Sequence, residues 1–135
     1  MLLVWMSALS GCGSNTPRCI PVSGTVTLDG MKVPGPGFIY FTTATPGKDG
    51  ISRPGTAEFD ADGKYHVTTF VPRDGLMPGK YALRVDCWRT APNMDGRAVV
   101  SFLPQKYQDA ATSGLELTIT PDAPATTFEI ALMSK

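Results

Sequence analysis

Short runs in which apolar and polar residues alternate follow one another along most of the chain. Val22, Gly24, Val26 and Leu28 alternate with Ser23, Thr25 and Thr27, the period of two expected of a strand with one buried face. Asp29-Gly30 follows as a turn. Phe38-Ile39-Tyr40-Phe41 is apolar on both faces, as a strand central to a sheet would be. A short strand over 56–59, a turn at Asp60-Ala61-Asp62-Gly63 and a return strand from Lys64 to Val71 predict a β-hairpin. Over 80–88, Tyr81, Leu83, Val85 and Cys87 share one face, against Ala82, Arg84, Asp86 and Trp88. Residues 89–114 lack a clear period, with an extended piece expected over 98–102 and one helical turn over 104–111. Leu115, Leu117 and Ile119, then Phe128, Ile130 and Leu132, mark the last two strands. No window sustains a 3.6-residue period. The pattern predicts an all-β fold of seven or eight short antiparallel strands, each with one buried face, best satisfied by two packed sheets.

Composition sharpens this picture. The 14 Gly and 12 Pro of the 135 residues fall between the apolar runs, which reads as many turns rather than disorder. Twelve Lys and Arg balance twelve Asp and Glu, and residues 1–11 carry no charged side chain. The remainder is therefore also formally neutral, which argues against nucleic acid or acidic surfaces as electrostatically recruited partners.

The first residues break the alternation. Met-Leu-Leu-Val-Trp-Met-Ser-Ala-Leu over 1–9 is too short to span a bilayer, which needs about 20 residues, but suits the apolar region of a signal peptide. Leu9-Ser10-Gly11-Cys12 matches the bacterial lipobox, in which small residues before the cysteine fit the lipoprotein signal peptidase. Residues 1–11 are then the signal and residues 12–20 a lipidated Cys12 and polar tether, with the folded domain over 21–135. Diacylglyceryl on the sulfur and palmitate-type acylation of the freed amine would anchor the chain stably, each buried methylene contributing about 0.8 kcal/mol. No Lys or Arg precedes Cys12, so the usual basic start of such a signal is missing, and the true initiating Met is open. Gly13 is not the aspartate that retains some lipoproteins at an inner membrane. That favours the outer membrane where this sorting rule operates, with the domain facing the periplasm or the exterior.

Ordered motifs link these elements to a family. Val22-Ser23-Gly24-Thr25-Val26-Thr27-Leu28-Asp29-Gly30-Met31-Lys32-Val33-Pro34, then Asp60-Ala61-Asp62-Gly63-Lys64-Tyr65, then Pro78-Gly79-Lys80-Tyr81-Ala82-Leu83 resemble the carboxypeptidase regulatory-like domains. The closer likeness is to the short lipoproteins of that type found in planctomycete bacteria, which continue in the manner of Leu103-Pro104-Gln105-Lys106-Tyr107 and Thr112-Ser113-Gly114-Leu115. The resemblance covers about residues 21–133. It implies a Greek-key β-sandwich of the transthyretin (prealbumin) type and says little about activity. Each motif is also a turn signature by itself. Asp caps a turn and Gly accepts positive φ, and Pro78-Gly79 suits a type II turn.

Chemistry-bearing residues are few. A hydrolytic triad needs a base, and the only histidine, His66, is expected mid-strand on the face away from Tyr65 and Val67. Transthyretin-related enzymes that open purine-derived rings use several histidines and a different C-terminus, so that activity is set aside and the chain is expected to be no enzyme. Asp60, Asp62 and Gly63 hint at calcium, but Lys64-Tyr65-His66 supplies no further oxygen ligand. Cys19, Cys87 and His66 lack zinc-ligand spacing. The run 22–28 has no lysine for an isopeptide bond. No metal and no cofactor are expected.

Cys19 and Cys87 would remain after lipidation of Cys12. An exported compartment permits a bridge between them, although Cys87 is in phase with its strand's core residues and Cys19 is out of phase with Ile20 and Val22. Trp88, leading into a long connection with Arg89, Asn93, Asp95 and Arg97, is a candidate binding surface, because an exposed aromatic beside polar groups can stack on a sugar or anchor a protein, the alternative being that the same connection covers it. Two functions follow. One is a non-catalytic, lipid-anchored envelope domain with a structural or protein-interaction role. The other is a small-ligand or carbohydrate-binding accessory module of a surface uptake or degradation system. The expected partners are the membrane, through Cys12, and an envelope protein or glycan.

Overall fold

The computed structural model describes residues 18–44 and 53–135. The chain is all-β. Among the described residues eleven strands are formed: β1 (Val22–Leu28), β2 (Met31–Lys32), β3 (Gly37–Thr43), β4 (Gly55–Phe59), β5 (Lys64–Thr68), β6 (Gly79–Asp86), β7 (Trp88–Thr90), β8 (Val100–Ser101), β9 (Glu116–Ile119), β10 (Thr126–Thr127) and β11 (Ile130–Leu132). One 3₁₀ turn over Gln105–Gln108 buries Tyr107.

Nine of these strands make one curled sheet in the order β10-β1-β5-β4-β3-β6-β9, with β2 and β11 also on β1. The neighbours from β1 through β5, β4, β3 and β6 to β9 are all antiparallel. β10 and β11 instead run parallel to β1. They are two halves of one return path, interrupted at Phe128 and Glu129. There the Glu129 carboxylate accepts the Thr25 amide at 3.1 Å, and the Phe128 amide reaches the Ser23 carbonyl at 2.8 Å.

The alternation in sequence becomes a single buried face. Val22 and Val26, Ile39 and Phe41, Ala57 and Phe59, Tyr65 and Val67, Tyr81, Leu83 and Val85, and Ile130 and Leu132 all point into one core. Burial of each large side chain contributes about 1.5–3 kcal/mol. Two core tyrosines keep their hydroxyls satisfied, as buried polar groups must be. Tyr65 donates to the Phe128 carbonyl, and Tyr81 donates to the Met77 carbonyl at 2.7 Å. β3 lies between β4 and β6, as its apolar run predicts, but only Ile39 and Phe41 enter the core. Phe38 is exposed, and the Tyr40 ring lies 4.2 Å from the Arg84 guanidinium on the outer face.

The turns follow their residues, with one exception. Asp29 and Gly30 both take positive φ, +53° and +77°, the type I′ geometry that suits a two-residue hairpin. Asp60 accepts the amides of Asp62 and Lys64 at 2.9 and 3.0 Å and closes the β4–β5 hairpin. Gly79 has a φ of +152°, far from the type II corner near +80° expected from Pro78-Gly79.

The strand expected to run to Val71 ends at Thr68. The reason is local competition: the Asp74 carboxylate captures the amides of Thr69, Phe70 and Val71 at 2.7, 2.9 and 3.1 Å. A side chain that satisfies three successive amides takes them from the sheet ladder. The irregular stretch expected over 89–114 is in part a hairpin, β7–β8, followed by the 3₁₀ turn.

The ladder fixes which ends of the strands lie together. Four antiparallel steps separate β1 from β6, so the two run in the same direction. The chain enters beside the start of β6, where Ile20 and Leu76 exchange backbone hydrogen bonds of 2.8 and 3.0 Å. The β7–β8 hairpin leaves from the other end of β6. Eight residues of strand put about 25 Å between these ends.

Candidate functional site

Cys12 and the tether as far as residue 17 lie outside the described residues. Among the described residues no helix is long and apolar enough to cross a membrane.

The distal hairpin contains Trp88, Arg89, Asn93 and Arg97. Trp88 pairs with Ser101 and is half-buried, and a bulge lies between Trp88 and Thr90. Every residue from Ala91 to Val100 is exposed, so the connection projects from the body. Met94 is fully exposed at its tip, and Val99, Val100 and Phe102 add apolar surface along its return side.

Asn93 organises this loop from within. Its Oδ1 accepts the amides of Asp95 and Arg97 at 3.1 and 3.2 Å, and its Nδ2 donates to the Ala91 carbonyl at 3.0 Å. The amide expected to face a ligand is thus spent on the loop itself. Arg89 and Arg97 are exposed and make no ion pair among the described residues. Trp88 and Arg89 are adjacent in β7 and so point to opposite faces of the ribbon. The four residues therefore share one projecting element but not one face. Residue pattern alone did not reveal the apolar return side, because Val99, Val100 and Phe102 read as an ordinary strand.

A second concave region lies on the outer face of β3, β4 and β5, an open groove of about 710 Å³. The register sets Phe38 opposite Glu58 and Glu58 opposite His66, with Thr56 and Thr68 in the next row and Arg73 at the rim. His66 is exposed, as its phase predicts. Its cross-strand neighbour on β1 is Ser23, but no hydrogen bond joins the two side chains. The groove is a polar surface with one aromatic platform, without the base-to-nucleophile contact that acyl transfer requires.

Nearby, Arg84 stacks on Tyr40 and meets Asp86 at 3.4 Å, while its own Nε is buried without a partner. Burial pushes the Asp86 carboxyl above its usual range, and Arg84 only partly opposes this.

Asp60 and Asp62 are both already partnered. Asp60 holds the turn amides, and Asp62 pairs with Lys32 Nζ at 2.8 Å. Among the described residues no group of three or more His, Cys, Asp or Glu side chains is placed to hold a metal ion.

Cys19 and Cys87 are both free thiols, so the bridge that an exported compartment would permit is not formed. Cys19 sits at the entry end against Asp74 and near Tyr81. Burial first, then the Asp74 charge, pushes its pKa up to about 11. Cys87 is fully buried past the far end of β6, its Sγ 3.5 Å from the Gly35 carbonyl. Six residues of strand separate Tyr81 from Cys87, about 20 Å, whereas a disulfide requires Cα atoms within about 7 Å. Both thiols are disposed against reaction, since burial opposes the thiolate.

The entry end holds the feature that strand periodicity concealed. The loop from Thr69 to Gly75 presents Phe70 and Val71 outward, 39% and 55% exposed, at its crest. Burial opposes ionisation of Asp74, but the amides of Thr69, Phe70 and Val71 outweigh it and hold that carboxyl below the usual range. The one available signal was Pro72-Arg73-Asp74-Gly75, a turn sequence directly after an apolar pair.

Compared with family models, curated proteins and solved structures, the chain matches none of them.

Proposed function

We propose that this protein is a non-catalytic, lipid-anchored domain of a bacterial cell envelope that engages a protein partner through the β7–β8 hairpin. Cys12 carries the lipid, residues 13–18 form the tether, and the outer membrane is the expected address. The body is a transthyretin-like Greek-key sandwich of the carboxypeptidase regulatory-like type. In favour of that fold are the quoted turn motifs, a β1 strand shared between β5 on one edge and β10–β11 on the other, and a single core faced by every long strand.

One observation carries the functional reading. The chain enters beside the start of β6, and the projecting hairpin leaves from its far end. A domain tethered at Ile20 would hold Met94, Val99, Val100 and Arg97 about a strand length further from the membrane. Exposed apolar residues rimmed by arginine suit a protein contact.

Two measurements test this. Cys12→Ala should release the protein from membranes after a high-salt wash, and retention would sink the anchor. A photo-crosslinking side chain at position 94 should give one discrete, saturable adduct in intact cells, whereas the same side chain at position 31 should not. Equal labelling from both sites would remove the hairpin as the contact.

The groove over β3–β5 favours a second reading, a small-ligand or carbohydrate-binding module. Phe38 offers a stacking face with Glu58, His66 and Thr56 around it. A glycan array on the chain beginning at Gly13 separates the two, since binding lost in Phe38→Ala but kept in Met94→Ala would select this alternative.

A further inference from the structure

We propose that the Thr69–Gly75 loop is a membrane-contact element that seats the domain on anionic lipid headgroups through Phe70, Val71 and Arg73. This rests on the lipid-anchor reading for the direction the domain faces, and otherwise on the loop itself.

The loop lies at the end where residue 18 leads back into the tether. Leu76, directly after the loop, is backbone-bonded to Ile20, and Cys19 touches Asp74. Any anchor upstream of residue 18 therefore brings this end of the sheet toward its membrane first.

The surface offered there has interfacial chemistry. Phe70 and Val71 are adjacent, exposed and apolar, and Pro72 beside them is also exposed. The Arg53 guanidinium lies over the Phe70 ring at 5.9 Å. Arg73 is exposed at the rim, and Arg18 is exposed where the chain enters. Among the described residues, the carboxylates at this end are Asp74, turned inward onto three amides, and Asp122, in the connection between β9 and β10. One guanidinium over the Phe70 ring and two more exposed at the same end match a phosphate-bearing lipid surface. The apolar groups enter the acyl boundary, and the arginines stay with the phosphates.

The backbone is built to hold this display. Arg73 sits at a φ of +63°, a region non-glycine residues rarely occupy, and its amide is held by the Thr68 hydroxyl at 3.0 Å. Glycine would suit that position better for stability alone. In this conformation Arg73 is exposed, and it borders the groove over β3–β5.

The test uses the chain beginning at Gly13, which keeps every core residue from Ile20 to Leu132 and lacks the lipid. It is sedimented with vesicles of phosphatidylglycerol and phosphatidylcholine in equal parts, and with phosphatidylcholine alone. Binding should require the anionic lipid and weaken with salt. Arg73→Gly should bind about fivefold more weakly, the worth of about 1 kcal/mol per arginine at such a surface, with no loss of its urea midpoint. Phe70→Ser with Val71→Ser should lose at least about tenfold, and Met94→Ser should lose nothing.

Equal binding to both vesicle types, no binding, or an equal loss from Met94→Ser would overturn the inference. These outcomes are separate from the fate of Cys12→Ala in cells, which reports on the anchor alone.

Discussion

The two ends of β6 carry loops of similar composition and opposite construction. At the entry end, the loop before β6 places Asp74 under three consecutive amides, and Gly75 packs against the Ile20 backbone. At the far end, Asn93 ties its loop together from inside, every residue from Ala91 to Val100 faces solvent, and Gly96 has open space around it. One loop is fastened to the core by its backbone, while the other is self-contained and merely attached. Exposed apolar residues therefore mean different things at the two ends. Phe70 and Val71 are held in place by the fold, whereas Met94 and Val99 are free to adapt to what they meet. A fixed crest suits a planar lipid surface. An adaptable projection suits a protein partner, where ordering on binding is part of the cost.

The largest expected break in this comparison is between two glycines with positive φ. At Gly75, φ is +97°, and a Cβ would stand 1.8 Å from the Ile20 carbonyl oxygen. Gly75→Ala must push the entry strand away from Leu76 and should cost at least about 3 kcal/mol, or prevent folding. At Gly96, φ is +74° with nothing within 4 Å, so Gly96→Ala should cost only the left-handed backbone penalty of about 1 kcal/mol. Urea midpoints measure both. Similar losses would show that the far hairpin is as tightly integrated as the entry loop.

The same contrast explains what was legible in the sequence. Alternation located the core strands because Val22, Val26, Ile39, Phe41, Leu83 and Val85 repeat every two residues, and the sheet has one buried face. The Asp29-Gly30 hairpin and the exposed position of His66 follow from the same local rules. What escaped was tertiary. Val71 is in phase with Tyr65 and Val67 of β5 and extends its apolar run with Phe70, and only a carboxylate three or four residues downstream turns the pair out of the ladder. Whether Cys19 and Cys87 could meet depended on strand order, which places them at opposite ends of β6. Trp88, Arg89 and Arg97 share the β7–β8 ribbon and its connection with Asn93. The Asn93 side chain is consumed by local amides, a choice that polarity alone does not reveal.

A middle-sized effect separates the two loops by pH. Asp74→Ala removes the acceptor of three amides and should cost about 2 kcal/mol, because hydrogen bonds to an ionised group are worth more than neutral ones. Acid should do part of this without mutation. The folded protein holds the Asp74 proton less tightly than the unfolded chain, since its carboxyl is lowered. Its stabilisation is therefore complete above the ordinary aspartate range near pH 4 and is lost as pH falls below that through the folded value. Hydrogen-exchange protection of the Thr69, Phe70 and Val71 amides should fall in that window. The Arg97 amide, held by the neutral Asn93 side chain, should keep its protection. Parallel loss at both sites would mean that acid opens the whole sheet rather than this loop.

The smallest expected effect concerns Asn93, and it tests the far loop's independence most directly. Asn93→Ala removes the 3.1 and 3.2 Å acceptor contacts to Asp95 and Arg97 and the 3.0 Å bond to Ala91. All of these groups are exposed, so water replaces the lost partners, and the change should cost no more than about 1 kcal/mol. The entry loop should not notice, because no hydrogen bond or ion pair connects the two. Exchange protection at Thr69 to Val71 should be unchanged, while Asp95 and Arg97 lose theirs. The loop should then visit more conformations, and crosslinking from position 94 should broaden from one adduct to several without losing its partner. If protection at the entry loop falls as well, the two ends are coupled through β6, and the adaptable hairpin and the fixed crest are parts of one device.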